Sequence, residues 1–85
     1  AVKTGTYTAS NKDQLIANSG SAFTITLPAS PSVGNTVVIK NVGAGTVTIG
    51  RNGSNIEGSA QDGTLASTKA MQVVYVDSTL GWKEL

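Results

Sequence analysis

The chain has 85 residues, a net charge of +1, and neither cysteine nor histidine. That length allows one small domain, and the missing residue types exclude a disulfide framework and the usual His/Cys metal sites. Charged residues make up only 13%, and the six cations (Lys3, Lys12, Lys40, Arg51, Lys69 and Lys83) stand singly, with no basic stripe for nucleic acid and no apolar run long enough to span a membrane as a helix.

The first segment, AVKTGTYTA, carries no apolar signal-peptide stretch. Residues 1–9 fit either an extended arm that orders on a larger partner or an ordinary edge strand. In SNKDQLIANSG, Ser10 or Asn11 could cap a helical turn ending at Gly20, and a short strand near 13–17 fits equally well.

From residue 22 the period is two. In AFTITLP, Phe23, Ile25 and Leu27 alternate with Thr24 and Thr26, and Pro28 closes the strand because it cannot donate to a ladder. Pro31 and Gly34 then predict a turn. TVVIKNV is the second clear strand, GAG breaks it, and TVTI follows. Asn52-Gly53 predicts a type I′ turn joining TVTIGR to SNIEG as a hairpin. TLAS, AMQVVYVD and WKEL supply the remaining strands. The pattern predicts an all-β fold, a small antiparallel β-sandwich or barrel of about 7–9 short strands in one domain over 1–85. Ser, Thr, Asn and Gly together number 36, yet abundant Val, Ile and Thr favour strands over disorder.

NVGAGTVTIGRNGSNIEG tests for phosphate binding. Thr48 stands where a dinucleotide fingerprint needs its third glycine, the residues that follow are β-branched rather than helix-forming, and no Gly-Lys-Ser/Thr string is present. The glycines therefore belong to turns. Without histidine, the serines and threonines lack the usual base. The five acids (Asp13, Glu57, Asp62, Asp77 and Glu84) form no cluster suited to metal or glycoside chemistry. The expectation is a non-enzymatic protein with no cofactor and no metal.

Two strands are apolar on both faces. Val37 and Ile39 oppose Val38 and Val42, while Met71, Val73 and Tyr75 oppose Val74 and Val76. Either these strands are central ones or they reach a subunit interface. Small domains without staples gain from oligomerisation, so a trimer or dimer is expected. The candidate subunit or partner interface comprises Ala1, Val2, Val38, Val42, Val74, Val76 and Trp82. Trp82 can instead plug the end of the core or form a sugar-binding platform.

FTITLPASPSVGNTVVIKN, TVTIGRNGSNIEG and VVYVDSTLGW together resemble a family of small β-domains in virion proteins of tailed bacteriophages, cyanophages included. The likeness spans about residues 20–82 and rests on structural motifs, so no catalytic residues carry over. It implies a β-sandwich, trimeric, located on the capsid surface and contacting the major capsid protein. Ends that read as complete and the lack of a shaft repeat favour a free-standing capsid decoration (cement) protein. The alternatives are a tail-fibre receptor-binding module and a carbohydrate-binding module, the only readings under which a glycan partner is expected.

Overall fold

The computed structural model describes residues 1–85 and contains nine strands and no helix. The strands are β1 (Val2–Lys3), β2 (Tyr7–Thr8), β3 (Asp13–Ala17), β4 (Phe23–Thr26), β5 (Thr36–Asn41), β6 (Val47–Gly50), β7 (Gly63–Leu65), β8 (Ala70–Asp77) and β9 (Gly81–Glu84). They build two mixed sheets, one ordered β1-β3-β5-β8-β9 and the other β2-β4-β6-β7.

Antiparallel pairing holds for only part of this fold. Through β6 the chain alternates between the sheets, and each strand lies parallel to the strand two elements earlier. Parallel neighbours cannot be joined by a tight hairpin. Crossing to the opposite sheet supplies the return path, so the first six strands wind as three stacked coils. Asp13 pairs with Val37 and Phe23 with Val47, an offset of 24 residues in both sheets. The pairing turns antiparallel only where β7 and β8 join β6 and β5 and where β9 joins β8.

Alternation within each strand fills the space between the sheets. Leu15, Ala17, Val37, Ile39 and Val73 point in from the five-stranded sheet, and Ile25, Val47, Ile49 and Leu65 from the four-stranded sheet. Ala9, Leu27 and Trp82 complete a cluster of 12 buried residues. Each fully buried aliphatic side chain contributes roughly 1.5–3 kcal/mol. The segment at 13–17 is a strand rather than a helix, because only period two sets both Leu15 and Ala17 against the core.

Residues 1–9 supply β1 and β2, the first edge strand of each sheet. The opposite end is covered by residues 55–58. Trp82 N–H donates to the Asn55 carbonyl at 2.8 Å, and Glu57 N–H donates to the Trp82 carbonyl at 2.7 Å.

The Asn52-Gly53 turn has positive φ at both residues (51° and 86°), as a type I′ turn requires. The expected hairpin does not follow. Residues after the turn leave β6 and run to β9, where Ile56 bridges Trp82, while β7 takes the place beside β6.

Candidate interaction surfaces

The registers place side chains on each outer face in rows. Across the five-stranded sheet, Val2, Ile16, Lys40 and Ala70 form one row, Gln14, Val38 and Gln72 the next, and Thr36, Val74 and Lys83 a third. Val2 is 59% exposed, Ile16 42% and Val42 51%. Val38 and Val74 are half-buried between their neighbours. A shallow groove opens on this side between Val38, Ala70, Met71, Gln72, Glu84 and Leu85.

The outer face of the four-stranded sheet has a different character. Thr24, Thr48 and Thr64 form one row, and Thr8, Thr26 and Gly50 the other. Strands stand about 4.8 Å apart and alternate residues about 6.7 Å apart along each strand, so these methyls and hydroxyls make an uncharged, solvent-compatible surface. The two faces of one small molecule thus divide into an apolar face, where Val2, Ile16, Val38, Ala70 and Val74 stand among two lysines, two glutamines and Thr36, and a threonine face.

Of the residues singled out from sequence, Val2, Val38 and Val74 fall on the apolar face, with Val42 just beyond the end of β5. Ala1 precedes β1 at the same edge, and its carbonyl accepts from Ile16 N–H at 2.9 Å. Val76 lies within the β-bulge between Tyr75 and Asp77, half-buried. Trp82 does not belong with them. Its exposure is 0%, so it touches neither a partner subunit nor a sugar. It plugs the core, edge-on to Tyr75 with centroids 5.6 Å apart, and its indole N–H has no partner. Both β5 and β8 are interior strands of the five-stranded sheet, paired on both edges, and their outward-facing Val38 and Val74 stay half-buried between neighbouring side chains.

Ile16 joins the apolar row, although its segment fits a helix and a strand equally well in sequence. Asn41 was equally hidden. It is 1% exposed and points into the core in the position that Ala17 holds one coil earlier. Its Nδ2 donates to the carbonyls of Gly45 (2.9 Å) and Leu65 (3.0 Å), and its Oδ1 accepts from Gly43 N–H at 3.1 Å. One side chain thereby satisfies the corner after β5 and ties it to the opposite sheet. The sequence signal is the spacing Asn41-x-Gly43-x-Gly45.

The carboxylates are engaged locally. Asp13 accepts from Tyr7 O–H at 3.1 Å and Ser10 N–H at 2.8 Å. Asp62 accepts from Arg51 N–H at 2.9 Å, and Asp77 caps its turn by accepting from Thr79 N–H (2.9 Å) and Leu80 N–H (2.6 Å). Glu57 accepts from Glu84 N–H at 2.8 Å and lies 3.4 Å from Lys83 Nζ. The Glu84 N–H bond holds the Glu57 carboxyl below its ordinary pKa, helped by Lys83 against the opposing effect of burial. The Asp13 hydrogen bond raises the Tyr7 phenol above its ordinary value, followed by burial and the Asp13 charge. No group of three or more His, Cys, Asp or Glu residues is placed to hold a metal ion.

No protein-family model matches this chain, and no curated protein matches it in sequence.

Proposed function

We propose that the chain is a non-enzymatic structural protein of a virion. On this reading it is a capsid decoration (cement) protein that self-associates and docks on the shell surface. The observation that carries it is the division of the outer faces. Val2 pairs with Ile16 on the outer face of the five-stranded sheet, Val38 and Val74 stand in the next two rows of that face, and the other sheet presents threonine. An apolar sheet face beside a solvent-compatible one marks a contact surface. The resemblance carried by FTITLP, TVTIGRNG and YVDSTLGW supplies the particle context. Many identical weak contacts on a symmetric shell add up through avidity.

The coil favours a second reading. Each turn lies parallel on the one before it, which is also how a fibre shaft lengthens, so a tail-fibre module is the alternative. Co-sedimentation with capsids purified free of this protein separates the two. A decoration protein saturates at a copy number that the shell symmetry allows; a fibre module leaves the shells bare.

A further inference from the structure

We propose that residues 1–8 form a strap that opens as a unit, hinged at Ala9–Ser10, and exchanges between two copies of the chain. The inference is independent of the virion reading. β1 and β2 each pair through two residues only, and they are the edge strands of different sheets at the same end of the coil. Val2, Thr4, Gly5, Thr6 and Thr8 are exposed. The strap is thus held at two short pairings with a bend between, and Tyr7 is its one side chain packed against the core.

Beside its strand pairing and the bond from the Ala1 ammonium to the Gln14 carbonyl (2.9 Å), the strap has an internal contact. Lys3 Nζ sits 3.8 Å from the centre of the Tyr7 ring, a cation–π pair that joins β1 to β2 across the bend. Both partners lie on the strap, so the pair travels with it. The side-chain hydrogen bond from the strap to the body is Tyr7 O–H to Asp13.

Movement stops at Ser10 because the next turn is fixed. Ser10 N–H donates to Asp13 Oδ2 (2.8 Å), Asp13 N–H to the Ser10 carbonyl (3.1 Å), Lys12 N–H to the Thr36 carbonyl (2.7 Å) and Thr36 N–H to Asn11 Oδ1 (3.0 Å). Ala9, 4% exposed, stays with the core.

Opening bares the edges of β3 and β4 together. The piece that fits both is another copy's strap, in the same register and with the same Tyr7–Asp13 bond. Each strand pairing broken within one copy re-forms between copies, which is the condition under which exchange of an element costs little.

Two measurements on the full chain test this. In native-state hydrogen exchange, the amides of Ile16 and Asn18 donate to strap carbonyls, whereas those of Leu27, Val42 and Tyr75 do not. The first pair should exchange at least about tenfold faster, through local opening, and Tyr7→Phe, which removes the bond to Asp13, should speed that pair selectively. The chain contains no cysteine, and Val2 pairs directly with Ile16 at a strand spacing of about 4.8 Å, within disulfide range. Mixing Val2→Cys with Ile16→Cys protein under oxidation should give the mixed disulfide well above the statistical share of the two like pairs. Uniform exchange rates across all five amides, or no enrichment of the mixed disulfide, overturns the proposal.

Discussion

Gly43 lies against the backbone of Ser19, one coil earlier, so closely that a Cβ at residue 43 would collide with the Ser19 amide and carbonyl. Gly45 meets Ser21 in the same way, and its N–H donates to the Ser19 carbonyl at 2.9 Å. The Gly43-Ala44-Gly45 stretch is therefore not a free turn. It is the corner where one coil rests on the next, and it needs glycine for close approach.

Gly43→Ala or Gly45→Ala should destabilise the fold by about 1–3 kcal/mol, as overpacking does. Gly20→Ala, in the neighbouring turn with open space around it, should change stability by less than about 0.5 kcal/mol. Denaturant midpoints of the three variants check the contrast.

Asn41→Leu should cost about 2–4 kcal/mol, because the carbonyls of Gly45 and Leu65 lose the Asn41 amide inside the core and Gly43 N–H keeps only its 3.3 Å bond to the Ala17 carbonyl. Asn41→Asp should cost more still, since it sets carboxylate oxygens against two carbonyls. Equal stability of Asn41→Asp and the parent chain in urea melts would refute this role.

Trp82→Ala should cost about 3–5 kcal/mol through the cavity it leaves. Trp82→Phe should cost much less, because it also removes the indole N–H that the core leaves unpartnered. The parent chain's tryptophan emission should be blue-shifted and insensitive to iodide, as befits a ring with no exposed surface.

Two groups give opposite pH dependences. The Glu57 pKa is lowered in the fold, so its stabilisation is full above the ordinary carboxylate range and is lost as pH falls through the folded value. The Tyr7 pKa is raised; its contribution is full below the ordinary phenol value and is lost as pH rises through the folded one. Glu57→Gln should flatten the acid side of a melting-temperature profile, and Tyr7→Phe the alkaline side.

Much of the fold was legible locally. Phe23, Ile25 and Leu27 against Thr24 and Thr26 announced a strand, and Gly34 (φ 89°) and Gly53 (φ 86°) announced their turns. Neighbourhood was not legible, because alternation says which side of a strand is buried but not which strand lies beside it. The clue was the 24-residue offset that matches Leu15 with Ile39, Thr24 with Thr48 and Ile25 with Ile49. It is faint, because the same offset also sets Ala17 against Asn41 and Thr26 against Gly50. The surface candidates Val2, Val38 and Val74 were visible as surplus apolar residues. Trp82 stood open between core plug and contact, because tryptophan suits both until its neighbours are known.

The most direct test compares the two outer faces in shell binding. Val38→Asp alters the apolar face and Thr48→Asp the threonine face, and both proteins are first checked for folding by circular dichroism. The account predicts that Val38→Asp protein stays in the supernatant when capsids are pelleted, while Thr48→Asp protein sediments with them like the parent. Equal sedimentation of the two, or loss confined to Thr48→Asp, would contradict it.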